Sequence, residues 1–166
     1  QEMWDAIDII EDGNSYLFNA EIECTGEFTE VPEIPTETVE VTASKAADTI
    51  YNLSGRNLVI VTGECTSNNV ADIGYVLREN YNAQILLDLS DVSGLTSIPS
   101  YCFSCCENLQ SITIPASVTS IEIAAFSTCN NLTNIVIEAG NNNYFVEDGA
   151  IYTTDGTTLV AYPSAS

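Results

Sequence analysis

Apolar residues recur along this chain of 166 residues with three different periods, and each period predicts a different kind of element. Ala6 to Ile10 and Tyr16 to Ile22 flank the turn-forming Glu11-Asp12-Gly13-Asn14, and Tyr16, Phe18, Ala20 and Ile22 alternate as a half-buried strand does. That predicts an N-terminal β-hairpin. Thr25 to Thr42 holds Pro32, Pro35 and the spaced acids Glu27, Glu30, Glu33, Glu37 and Glu40, a linker or edge-strand composition in which Thr38 to Val41 can pair.

From Ser44 the period lengthens. Ser44 suits an N-cap for a helix running to Leu53, with Ala46, Ala47, Ile50 and Leu53 on one face and Gly55 placed to end it. Asn57 to Thr62 is an uninterrupted apolar run of buried-strand type. A second helix follows from about Asn69 to Glu79, striped by Val70, Ile73 and Leu77, with Arg78 favourably near its C-terminus. Ala83 to Leu89 is the next strand. Strand, helix and strand in some thirty residues imply parallel strands joined by a right-handed crossover.

The third period is 23 residues. Leu95–Ser117 aligned without gaps on Val118–Gly140 gives 11 identities in 23 positions. The shared apolar positions are Ile98 and Ile121, Phe103 and Phe126, Leu109 and Leu132, Ile112 and Ile135, and Ile114 and Ile137. Leu87-Asp88-Leu89 repeats the last pair 25 residues upstream of Ile112. A single such unit cannot bury both its faces, so neighbours must stack and share an interior. The repeat ends at Gly140. Tyr144 to Tyr162 then reads as three short strands turning at Asp148-Gly149 and Asp155-Gly156, dipeptides suited to tight hairpins, and this meander is expected to cover the open edge of the last repeat.

The run Leu95-Thr-Ser-Ile-Pro, Phe103-Ser, Cys106, Asn108-Leu, Ser111-Ile-Thr-Ile-Pro115, with Asp148-Gly-Ala-Ile-Tyr and Asp155-Gly-Thr-Thr-Leu-Val-Ala-Tyr-Pro163 after it, resembles the BspA-like leucine-rich repeats. The resemblance covers about residues 57–166. It implies a repeat solenoid, and it implies adhesion, since such repeats occur on surface proteins of anaerobic and host-associated microbes. It also implies that Cys106 and Cys129, at one repeat position, are buried packing residues. Residues 1–42 lie outside it.

Charge narrows the partners. The chain has 24 Asp and Glu against Lys45, Arg56 and Arg78, no His, and a net charge of −21. Such a surface repels nucleic acid and anionic lipid, which bind through clustered cations. Cationic proteins, neutral glycans and, weakly, divalent cations fit better. Residues 1–42 carry 12 acids and no base. No basic, apolar secretory leader is visible, and no run reaches the ~20 apolar residues of a membrane span. Gln1 in place of an initiator Met is what a processed chain would show, and export is the expectation.

Catalytic chemistry finds little purchase. Without His there is no Ser-His-Asp set and no imidazole metal ligand. Cys102-x-x-Cys105-Cys106 has the gap of a zinc half-site or redox pair, but a structural zinc needs a second pair and Cys24 and Cys65 are isolated; in an oxidising compartment a Cys102–Cys105 disulfide is an alternative. Glu11-Asp12 and Glu147-Asp148 sit beside Gly in turns, where water keeps both carboxylates ionised, unlike a glycosidase pair. No Asp-x-Asp-x-Asp-Gly calcium loop occurs. Asn52 and Asn131 match the N-glycosylation pattern, and Asn131 also fits a repeat turn.

These readings converge on an α+β chain: an acidic hairpin and linker over 1–42, then a leucine-rich-repeat-type solenoid over 43–166 with parallel strands, a helical first repeat, repeats at 95–117 and 118–140 and a β-meander cap at 141–166. The expected function is non-catalytic recognition of a protein or glycan at the cell surface or outside it, with no cofactor and no metal. A structural spacer in a larger surface protein is the alternative, and an acidic hydrolase the third. Inward Leu109, Ile112 and Ile114, and Leu132, Ile135 and Ile137, leave Asp88, Ser111, Thr113, Asn134 and Val136 facing outward as the candidate ligand-binding positions.

Overall fold

The computed structural model describes residues 37–162; the expected N-terminal hairpin lies outside the described residues. The described chain opens with strand β1 (Glu37–Thr42), helix α1 (Ala43–Tyr51), strand β2 (Gly55–Glu64), helix α2 (Ser67–Glu79) and strand β3 (Ala83–Asp88). β1 pairs in parallel with β2, and β2 with β3. The sequence therefore supplies two successive strand–helix–strand crossovers where one was expected, and Glu37–Thr42, whose composition left linker and edge strand open, is the edge strand of the main sheet, with Thr38 to Val41 paired. Its alternation is the reason: Val39 and Val41 turn towards the core while Thr38, Glu40 and Thr42 stay exposed.

Both helices start earlier than their apolar stripes indicate. α1 begins at Ala43 behind Thr42, not behind Ser44, and ends at Asn52 without needing Gly55, which instead opens β2 at φ 70°. α2 begins at Ser67 because Thr66 and Asn69 form a reciprocal cap: the Thr66 hydroxyl accepts from the Asn69 N–H, and the Asn69 carboxamide accepts from the Thr66 N–H. The two helices present Ala46, Ile50, Val70, Ile73 and Leu77 to the same core as Val59, Val61, Ile85 and Leu87. Asn80 is buried after α2, where its carboxamide donates to the carbonyls of Ile50 and Leu53 at 2.6 and 3.0 Å and so joins the ends of both helical units.

The 23-residue units continue the sheet. Strands β4 (Val92–Ser93), β5 (Ser97–Ile98), β6 (Leu109–Ile114), β7 (Ser120–Ile121) and β8 (Asn134–Ile137) follow. The main parallel sheet runs β1-β2-β3-β6-β8, with β4 beside β2, and β5 pairs β7 as a second small sheet. The register shifts between β3 and β6, where Ile85 faces Leu109 but Leu86 faces Ser111. This irregularity lets Leu109 and Ile112, three residues apart, both turn inward, which strict alternation would forbid. The turn side of each unit is hydrogen-bonded to the next: Tyr101, Phe103 and Cys105 donate their N–H groups to Ile123, Ala125 and Ser127. Tyr101 and Ala124, and Cys105 and Thr128, all sit at positive φ at the same repeat positions.

The final strands, β9 (Tyr144–Glu147), β10 (Ala150–Thr153) and β11 (Leu159–Ala161), form an antiparallel sheet in the order β11-β10-β9, with Asp148 and Gly149 at φ 50° and 77° in the first turn. Tyr144, Val146, Val160 and Ala161 pack against the core. Among the described residues this sheet stands beside β8 without a backbone pairing to it.

Candidate functional site

The five outward positions read from the repeat lie together on one face of the main sheet. Asp88, Thr113 and Val136 are direct neighbours across β3, β6 and β8, and Ser111 stands beside Asn134. The Asn134 carboxamide donates to the Ser111 hydroxyl at 3.4 Å, and the Asp88 carboxylate accepts the Ser90 N–H at 2.9 Å. Asp88, Ser111 and Thr113 are half-buried, whereas Asn134 and Val136 are exposed, Val136 by 41 %.

The face extends beyond these residues. Register carries the Asp88 column back through Ile60 to Glu40, and the Ser111 column through Leu86 and Leu58 to Thr38. Leu58, Ile60 and Leu86 are half-exposed and stand outside the buried core. The continuous apolar run of β2 suggests burial on both sides, and the composition of β1 leaves linker and edge strand open; the strand pairing shows that their alternate residues join the same surface. The result is an apolar patch at one end, bounded by Glu40 and Asp88, grading into hydroxyls and an amide at the other.

All five described cysteines are free thiols. Cys102 and Cys105 are not bridged: the Cys102 Sγ lies 3.4 Å from the Val70 carbonyl under α2, while Cys105 is exposed. Cys106 and Cys129 are fully buried, as the repeat implies. Burial pushes the Cys102 and Cys106 thiols up to about 12 and those of Cys65 and Cys129 to about 11, away from the thiolate that a nucleophile or metal ligand needs. Hydrogen bonds from Ser100 lower the Glu122 carboxyl, and those from Thr153 and Thr157 lower Asp155, the opposite of what a general acid requires. Among the described residues no group of three Cys, Asp or Glu converges as a metal site, and no helix is long and apolar enough to cross a membrane. A cleft between Leu77, Arg78, Tyr81, Cys105 and Asn108 encloses about 210 Å³, below the ~300 Å³ at which small-molecule pockets begin.

The chain is similar to a crystallised leucine-rich repeat protein from Eubacterium ventriosum, at 22 % identity and a TM-score of 0.45, over 77 % of this chain and 46 % of that one. It thus spans less than half the length of that protein. No curated protein matches. The model of the BspA type leucine rich repeat region matches residues 67–165, which is 99 of 166 residues. That span takes in α2, β3, both 23-residue units and the antiparallel sheet, and the chain belongs to the BspA-type leucine-rich repeat family.

Proposed function

We propose that this chain is a non-catalytic recognition module of a secreted or cell-surface protein, and that it binds a protein or glycan through the outward face of its parallel sheet. One observation carries the reading. Parallel sheets are ordinarily covered by helices on both faces; here α1 and α2 contribute their apolar stripes to one side only, and the other side presents Leu58, Ile60 and Leu86 beside Asp88, Thr113 and Asn134. Side chains held on paired strands lose little entropy when a partner docks, and an apolar patch with a polar border is the usual composition of an interaction surface. The family contributes the expectation of a surface-protein repeat.

The test is a binding screen of the intact chain against a glycan panel and extracellular-matrix proteins, repeated with the double variant Thr113→Lys, Val136→Arg. Loss of binding with an unchanged melting temperature supports the face as the site. Retained affinity moves the site elsewhere, and a screen without any partner favours a spacer.

A further inference from the structure

Among the described residues the main sheet ends at β8, whose outer edge pairs with no further strand. Glu138 donates its N–H to the Ile114 carbonyl at 3.0 Å. Successive residues of a parallel strand address opposite neighbours, so Asn134 and Val136 also bond towards β6, and Ile135 and Ile137 direct their N–H and C=O groups to the other side. Pro115, opposite the end of β8 and without an N–H, is consistent with that phase. No backbone hydrogen bond from Ile135 or Ile137 reaches β9 among the described residues, although β9 is the next element in space. Between them lies a groove of about 380 Å³ lined by Val136, Ile137, Glu138, Tyr144, Phe145 and Val146. Natural edges are usually blunted by Lys, Pro, a bulge or a covering element; β8 carries no Lys, Pro or bulge within Asn134–Ile137, and β9 stands beside it without pairing.

Charge selects what this edge accepts. Glu138 is the acid that lines the groove, and its carboxylate accepts the Ala116 N–H at 3.1 Å. The three basic residues of the whole chain, Lys45, Arg56 and Arg78, all precede residue 79, and residues 79–166 hold nine acids and no base. A second copy of a chain with net charge −21 is repelled from this edge. We propose that the free edge of β8 is a strand-addition site for an extended basic segment of a partner protein, in which apolar residues alternate with Lys or Arg. Its backbone bonds to Ile135 and Ile137, its apolar side chains pack towards Ile137 and Val146, and its cations offset Glu138 and the uncompensated acids of residues 79–166.

The probe is a fluorescent peptide of alternating lysine and valine, titrated onto the intact chain by anisotropy beside two controls: the same peptide N-methylated at alternate residues, and an alternating glutamate–valine peptide. The proposal expects the basic peptide to bind, affinity to fall with added NaCl, the acidic peptide to fail, and N-methylation to weaken binding by about tenfold or more, the scale of one or two lost backbone hydrogen bonds. Ile137→Pro, which deletes an outward N–H without touching the bonds to β6, should have a similar effect. Equal binding of the N-methylated peptide, or binding of the acidic one, overturns the proposal, and this comparison uses the wild-type chain, so it stands even if Ile137→Pro does not fold. A dimer in solution that Ile137→Pro dissolves would assign the edge to a second copy and overturn it as well.

Discussion

The rings of Phe103 and Phe126 stack with centroids 5.5 Å apart and planes inclined by 11°, each at the same position of its repeat and each buried. The contact crosses the boundary between the two units, so it reports on their register directly. Phe126→Ala should destabilise the chain by roughly 3 to 5 kcal/mol, through lost transfer energy and the cavity left against Phe103. Urea denaturation measures this, and a loss below about 1 kcal/mol would contradict the stacking.

That pair was legible in the sequence because gapless repetition turns spacing into proximity: residues 23 apart in identical contexts must become neighbours when the units stack. The same logic placed Asp88, Ser111, Thr113, Asn134 and Val136 on one face. It failed upstream, where there is no repetition to exploit. Glu37–Thr42 has the acids and nearby prolines of either a linker or an edge strand, and what decides for the strand is pairing with β2, a long-range contact that local composition does not encode. The apolar half of the face was missed for a related reason, since Leu58 and Ile60 look no different in sequence from the buried Val59 and Val61 beside them. β5 and β7, two residues each, are too short to show a period at all.

Gly74 sits within α2, and a Cβ there would collide with the carbonyl oxygen of Cys102. The first 23-residue unit therefore approaches the helix backbone at a point only glycine permits, and Arg78, one turn on, donates to that same carbonyl at 2.9 Å. Gly74→Ala raises helix propensity by about 1 kcal/mol, yet overpacking of this kind costs about 1 to 3 kcal/mol or more. The expected outcome is a lower melting temperature. A higher one would mean that the unit does not sit against α2 as described.

The thiols divide by burial. Cys105 is exposed, while Cys65, Cys102, Cys106 and Cys129 are buried with acidities pushed up to about 11 or 12 from an ordinary value near 9. In a Cys24→Ser background, brief alkylation of the native chain followed by mass spectrometry should mark Cys105 alone. Comparable labelling of Cys106 would exclude the burial. The same shifts set an alkaline limit. Below about pH 9 both states keep these thiols protonated and the contribution is constant; above it the unfolded chain releases protons that the folded chain still holds, so stability falls progressively until the folded thiols also ionise near 11 to 12. Cys106→Ala should make that decline shallower without changing its onset.

With 24 acids and three bases, the folded chain holds like charges closer than the unfolded one does, and residues 79–166 have no base among them to offset their nine acids. Arg78, nearest to that part of the sequence, places its guanidinium on the carbonyls of Cys102 and Ser104. Repulsion between carboxylates is screened once their separation exceeds the Debye length, which shrinks to about 8 Å at 0.15 M salt. Melting temperature should therefore rise from a few millimolar to ~0.15 M NaCl as screening removes part of the penalty on the compact state. KCl should act alike, because ionic strength and not ion identity is the cause. Neutralising acids that share one row of the sheet face on either side of Ile60, as in Asp88→Asn with Glu40→Gln, should flatten the rise by a measurable fraction. A flat or falling profile in NaCl would show that self-repulsion does not govern stability here. A far larger rise with millimolar Ca²⁺ at matched ionic strength would instead point to a bound cation among the acidic turns.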